Sequence, residues 1–484
     1  MASCDLDDAA NVSPLSHRAP RFRALQRCWL AGAAALALAG CSVGPDYQRP
    51  ATLPPAAWQE AAPKAGAPVW PAADWWKGFG SAQLDAYIAQ AQTANDDLAA
   101  AMARVREADA QAQVSGAALL PSVGASADVD HQRAKSSGVA QTSTAHSLGL
   151  SASYELDFWG KNRATATAAL ATADASRYDL ETVRLTVLSS VATSYFQGLE
   201  LREQVRVAED NLANAQATLD GLRRQADAGI ATALDVAQQE TTVSTLSAKI
   251  PPLRQQYRQS VHALAILLGQ MPEAVDLAQG DTLAKLSLPA VTPGLPSELL
   301  ARRPDVAQAE AQLRAANANI TVARAAFFPA IDLTASGGYA STALSHLFDP
   351  GSAIFSLAAG LTQPIFQGGA LEGQYANTQA RYDELVATYR KSVRSAFSNV
   401  EDSLTAVRET TEQLARQEQA TATARHAYEL AQAQLAAGTI TVLTVLNTET
   451  ALFTANDALV QARYARLQAL VGLYNALGGG WKQS

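Results

Sequence analysis

From Asn162 to about Gln225 the chain contains no proline and few glycines. That uninterrupted stretch constrains the fold most, because proline breaks helix interiors and glycine weakens them. A single helix of this span would be roughly 95 Å long at about 1.5 Å per residue, far beyond an ordinary globular helix. Its apolar residues keep a heptad rhythm: Leu201, Val205, Ala208, Leu212, Ala215, Leu219 and Leu222 alternate spacings of four and three. Val243, Leu246, Ile250, Leu253 and Tyr257 do the same, as do Leu443, Leu446, Thr450 and Phe453. After an interruption at Asp457 the stripe resumes through Val460, Tyr464, Leu467, Val471 and Tyr474. This spacing predicts paired, coiled-coil-like helices. An Ala-rich composition with only 6% aromatic residues fits extended helices better than a bulky core.

The chain also repeats itself. Ala228-Gly229-Ile230-Ala231-Thr232-Ala233-Leu234-Asp235-Val236 is matched by Ala437-Gly438-Thr439-Ile440-Thr441-Val442-Leu443-Thr444-Val445. Glu240-Thr241 is matched by Glu449-Thr450, and Phe158-Trp159-Gly160 by Phe366-Gln367-Gly368. Each half reads as hairpin, long helix, tight turn, helix. The glycine in each turn suits a helix C-terminus that needs a left-handed residue. Duplicated units of this kind stack side by side around an axis.

Two regions switch to a period of two. Leu148, Leu150, Ala152, Tyr154, Leu156 and Phe158 alternate with Ser147, Gly149, Ser151, Ser153, Glu155 and Asp157. Val123, Ala125, Ala127 and Val129 alternate with Ser122, Ser126, Asp128 and Asp130, and the Ser- and Thr-rich segment 132–146 between them reads as a solvated loop. A second pair, with Ile331, Leu333, Ala335 and Tyr339 on one strand and Phe355, Leu357, Ala359 and Leu361 on the other, flanks a polar loop at 341–352. Each strand has one apolar and one wet face. Their length, about 10–12 residues, is that of a tilted membrane-spanning strand. Four strands cannot close a barrel that begins at about eight. Either several chains share one barrel, or the strands form a soluble sheet.

The N-terminus carries a targeting pattern. Arg18, Arg21, Arg23 and Arg27 precede an apolar run from Cys28 to Ala39, then Leu38-Ala39-Gly40-Cys41. Basic, apolar and small-residue blocks in this order read as a secretory signal, too short for a spanning helix. The small residues before Cys41 resemble a bacterial lipobox. This implies removal of residues 1–40 and acylation of Cys41, and Ser42 after it favours the outer membrane. No later apolar run approaches spanning length, so a mature chain that crosses a membrane must do so as a closed barrel.

The remaining composition excludes several classes. A net charge of −8 gives no basic face for nucleic acid. All three cysteines, Cys4, Cys28 and Cys41, lie in the first 41 residues, and the six histidines keep no ligand spacing. No metal site, cofactor or catalytic residue is therefore assigned, beyond the covalent lipid expected on Cys41. An envelope enzyme, a trimeric adhesin and a pore-less lipoprotein scaffold are the competing readings. The first lacks a catalytic motif, and the second would place its four strands together at the C-terminus.

Several longer motifs then converge. Cys41-Ser42-Val43-Gly44-Pro45-Asp46-Tyr47-Gln48-Arg49-Pro50, Trp75-Trp76-Lys77-Gly78-Phe79 with Leu84, and Leu295-Pro296-Ser297-Glu298-Leu299-Leu300 are followed by Arg302-Arg303-Pro304-Asp305-Val306, Ala309-Glu310, Leu313 and Ala325-Ala326-Phe327-Phe328-Pro329. Together they resemble the outer-membrane factors of tripartite efflux pumps, the TolC/OprM-like proteins, over essentially all of the mature chain. The resemblance implies a mixed α+β membrane protein: a homotrimer whose twelve strands form one β-barrel, continued by a long α-helical coiled-coil barrel in the periplasm. It implies a periplasmic adaptor and an inner-membrane pump of the resistance-nodulation-division (RND) type as partners, and a passive exit duct for small molecules as the function. The expected organisation is a signal at 1–40, a lipidated extended segment at 41–95, a first repeat at 96–290 with its hairpin near 121–158, and a second at 291–484 with its hairpin near 329–366.

Within that frame the turn regions 229–240 and 438–449 would lie at the periplasmic tip and form the gate. In similar proteins acidic residues of the second turn ring the aperture. Here the matching positions are Thr444 and Asn447, both uncharged. Leu443 could form an apolar constriction that gates by dewetting, and Asp235 could hold the tip closed through polar contacts. The alternative is that Asp235 starts a helix and Leu443 is a heptad core position. Arg302-Arg303-Pro304-Asp305 reads as a helix start, with Pro and Asp suited to its first turn.

Overall fold

The computed structural model describes residues 43–52, 54–60, 69–136, 139–277, 281–289, 291 and 294–482. The expected signal and Cys41 lie outside them. In chain order the elements are α1 (Ala82–Ala94), α2 (Asp96–Ala117), β1 (Ser122–Ser136), β2 (Val139–Glu155), α3 (Lys161–Asp227), α4 (Ala233–Leu267), α5 (Pro304–Ala325), β3 (Ala330–Ser341), β4 (Ala353–Thr362), α6 (Ala370–Ala436) and α7 (Val442–Ala476). The duplication is close to residue-exact. α3 and α6 each have 67 residues and start at 161 and 370; α4 and α7 each have 35 and start at 233 and 442, the same offset of 209. At about 1.5 Å per residue, each 67-residue helix is roughly 100 Å long.

The chain divides into two compact units, one holding 118–163 and 321–371, the other 45–117, 164–320 and 372–484. In the first, the strands form one antiparallel sheet in the order β1-β2-β3-β4. Pairing sets Ala125 opposite Leu150, Ala127 opposite Leu148, Leu148 opposite Tyr339, Leu333 opposite Ala359 and Ala335 opposite Leu357. Partners directly opposite share a face, so the four apolar sets merge into one. The other face collects Ser122, Ser153 and Thr334, and Ser151, Ser336 and Ser356. The apolar face is open: Phe355 is 91% and Leu357 82% exposed.

One expectation fails here. Residues 132–146 are not a loop, because β1 continues to Ser136 and β2 begins at Val139, with Gln132 opposite Ser143 and His131 opposite Thr144. The polar composition reports a hairpin end wet on both faces, and backbone pairing proceeds without an apolar side. The second hairpin does turn within 341–352, through two short 3₁₀ turns.

The second unit is helical. Its main core gathers Trp75, Phe79, Leu84, Tyr195, Phe196, Leu264 and Tyr474, among others. The Trp-Trp-Lys-Gly-Phe motif is a 3₁₀ turn whose three aromatic side chains are buried, with Trp75 stacked on Tyr474 at 4.9 Å and Phe79 edge-on to Phe196 at 5.0 Å. A second core unites Leu299, Val306 and Leu313 of the central motif with Tyr389, Val393 and Val400 of α6. α4 runs unbroken through Pro251 and Pro252. Both prolines are exposed, where water can satisfy the carbonyls their missing N–H groups leave free. Among the described residues, no helix is long and apolar enough to cross a membrane.

Candidate functional site

Two helical turns carry the residues singled out for the gate. At the first, Gly229 closes α3 with φ 75°. Its N–H donates to the Ala226 carbonyl at 2.9 Å, and that of Ile230 to Gln225 at 2.8 Å, the bond pair of a Schellman cap. Gly438 repeats this after α6 with φ 67°, bonding Leu435 at 3.0 Å, while Thr439 bonds Gln434 at 3.0 Å. A side chain at either glycine would be strained in this left-handed conformation.

The next residues diverge. Thr232 and Asp235 form a capping box at the start of α4: the Asp235 N–H donates to Thr232 Oγ1 at 3.2 Å, and the Asp235 carboxylate accepts from the Thr232 N–H at 2.9 Å. These bonds, that of the Thr232 hydroxyl at 2.7 Å foremost, hold the Asp235 carboxyl below its usual value. Asp235 is thus a helix-start residue. At α7 the matching Thr441 and Thr444 share one hydrogen bond between their hydroxyls, at 3.3 Å, and no side chain caps the helix. Leu443 is 52% exposed, and Thr444 and Asn447 are exposed beside it. Leu443 is therefore not a core position of this chain. Thr450, expected in the apolar stripe, is also exposed, and Glu449 beside it is fully buried at 0%.

Glu449 is the functional candidate that the heptad reading missed. One carboxylate oxygen accepts from Thr218 of α3 at 3.1 Å and Tyr428 of α6 at 3.2 Å, and the other from Gln239 of α4 at 3.3 Å. Desolvation pushes its carboxyl above the usual range, against the pull of these bonds. A signal was present: Val442, Leu446, Glu449 and Phe453 keep the four-three-four spacing, as do Gln239, Val243, Leu246 and Ile250 in the first repeat.

The segment that follows Cys41 is pinned along the helical unit. Asn317 of α5 donates to the Pro45 carbonyl at 3.0 Å, and Arg49 grips Glu310 with two bonds, its Nε at 2.9 Å. Further on, Trp58 Nε1 donates to the Gly294 carbonyl at 2.7 Å, and the N–H groups of Gln59 and Glu60 bond the Glu401 carboxylate at 2.9 and 3.1 Å. The central motif is structural. Arg303 binds both Asp305 oxygens, at 2.9 and 2.6 Å, and donates to the Ala476 carbonyl at 3.0 Å, capping the end of α7. Among the described residues no cluster of three His, Cys, Asp or Glu side chains could hold a metal ion.

Among the described residues, an open apolar sheet face, unpaired sheet edges and two duplicated 67-residue helices are the features expected of one subunit of an outer-membrane duct. The chain belongs to the outer membrane efflux protein family, whose model matches residues 87–270 and 295–479, one match per repeat. It is 44% identical over 417 residues to the pyoverdine export outer membrane protein OpmQ of Pseudomonas aeruginosa, covering 84% of this chain and 87% of that one. It is 33% identical over 460 residues to the cation efflux system protein CusC of Escherichia coli, covering 93% and 98%. The solved outer-membrane channel OprN superposes with a TM-score of 0.85 at 28% identity, covering 91% of this chain and all of that one. The protein is an outer-membrane channel of an efflux system, a transport duct and not an enzyme.

Proposed function

We propose that three copies of this chain form one duct, with the β-sheets closing a twelve-stranded barrel and the helices a periplasmic tube. The supporting observation is the sheet itself: among the described residues β1 and β4 have no partner on their outer sides, and the apolar face is uncovered. Unpaired edges in hydrocarbon are not tolerated, so closure through neighbouring copies satisfies both features. The barrel is held in the outer membrane by lipid on Cys41, from which the pinned segment beginning at Gly44 leads. A Cβ on Gly44 would lie 1.7 Å from Thr321 Oγ1, so this position admits only glycine. A periplasmic adaptor and an RND-type inner-membrane pump complete the export path. The pump supplies the energy and the selectivity. Relatives named for pyoverdine, cation and toluene export align over 84%, 93% and 92% of this chain, so the duct does not define its cargo.

At the tip, exposed Leu443 with Thr444 and Asn447 supplies the constriction, and Asp235 fixes the first turn against it. The test is the mass of the purified protein in detergent, its heat-modifiable migration on gels, and mass spectrometry of its N-terminus. A trimer with acylated Cys41 is expected. A monomer that migrates alike with and without heating would leave only an anchored scaffold.

A further inference from the structure

The four helices that reach the two turns are joined at one level. Thr218 lies eleven residues before Gly229 and Gln239 ten after it; Tyr428 lies ten before Gly438 and Glu449 eleven after it. Each is about three helical turns from its glycine. A single carboxyl group, that of Glu449, meets one side chain from each of the other three helices. Gln239 extends the joint, since its Nε2 also donates to the Ala215 carbonyl of α3 at 2.8 Å, and so does Gln432, which donates to the Tyr428 hydroxyl at 2.7 Å.

The donor and acceptor inventory of the joint is unbalanced. Both N–H groups of the Gln239 amide are used, yet its Oε1 is buried without a donor. A carboxylate is acceptor-only, whereas a protonated carboxyl supplies one O–H, beside the amide that lacks a donor. Full burial penalises the charged form as well. The titratable group that faces Glu449 is Tyr428 on α6. α3 presents Thr218 and the Ala215 carbonyl, and α4 presents Gln239, all neutral. The Arg223–Glu240 pair of α3 and α4, at 2.8 Å, is exposed at the surface.

We propose that Glu449 is the positioning residue of the tip: its uncharged carboxyl ties α3, α4, α6 and α7 together, and its ionisation loosens the tie and widens the aperture. Ionisation would put a charge on a fully buried carboxyl, whose hydration requires water to enter the joint, and the segments between joint and turns then separate. The proposal rests on the duct reading above.

The experiment is single-channel conductance of the purified full-length oligomer in planar bilayers across a pH series, for the wild type and for Glu449→Gln and Glu449→Ala. Oligomeric mass and thermal stability are measured on each. The wild type should conduct more as pH rises. Glu449→Gln, which carries an N–H donor and no charge, should stay at the low-pH conductance throughout. Glu449→Ala should conduct severalfold more at every pH. If Glu449→Ala does not assemble, Tyr428→Phe and Thr218→Val take its place, each removing one of the bonds to Glu449, with a conductance above that of the wild type at low pH. Wild-type profiles in the Gln variant, or unchanged conductance in the Ala variant or its replacements, would overturn the proposal. Absence of conductance in every protein would instead defeat the duct reading.

Discussion

The two tips are built from the same sequence element and put it to different uses. Both close a 67-residue helix on a left-handed glycine with the same pair of backbone bonds, and both open a 35-residue helix on threonine. In the first, the glutamate after the turn, Glu240, is exposed and pairs with Arg223 on the surface. In the second, the matching Glu449 is buried and binds the other three helices. The first helix has an acidic cap in Asp235, and the second has none. Duplication copied the backbone, and the polar side chains then divided the work: one tip caps itself, and the other ties the bundle.

The sharpest way to break this contrast is to remove both glutamates separately. Glu449→Ala strands the buried Tyr428 hydroxyl and one N–H of the buried Gln239 amide, each at a cost of about 1–3 kcal/mol, and should lower stability to denaturant by at least about 2 kcal/mol. Glu240→Ala removes an exposed pair and should cost no more than about 1 kcal/mol. Equal losses would erase the distinction between the tips. Next come the shared glycines: Gly229→Ala and Gly438→Ala each force a Cβ into a left-handed residue, at about 1–2 kcal/mol. Near-equal shifts in melting temperature would show that the two turns are one device.

Smaller effects sharpen the capping difference. Asp235→Ala should cost about 1 kcal/mol through the lost cap, while Thr444→Asp should stabilise α7 by installing one, both read by thermal unfolding. Asp235→Ala should also raise conductance at low salt where Glu240→Ala does not; identical conductance in the two would remove Asp235 from the gate. The Asp235 carboxyl is held below its usual value by the bonds from Thr232. Its contribution is therefore full above the unfolded-state value and is lost as pH falls through the lower folded-state value. The stability gap between the wild type and Asp235→Ala should accordingly close on acidification.

Much of this was legible in the chain itself. The proline-free run gave the long helix to within about two residues, and the alternation of Leu148, Leu150 and Ala152 gave the face they occupy, because period and burial are tied directly. The central motif was read as a helix start, and Arg303 and Asp305 meet there. Two things escaped for physical reasons. Residues 132–146 looked like a loop because a hairpin wet on both sides has no apolar period to detect. Glu449 was passed over for Thr450 because a charged residue in a heptad stripe is ordinarily a solvated neighbour, and only the assembled helices supply the three donors that make its burial tolerable. Partners that lie far apart in sequence, such as Arg49 and Glu310, are likewise invisible to spacing.

The most direct test of the account is single-channel recording of the acylated oligomer, with its mass determined in the same detergent and Glu449→Ala measured beside the wild type. The account predicts a trimer with discrete conductance steps, larger in the variant. A trimer that passes no current in either form, or a monomer, would contradict it.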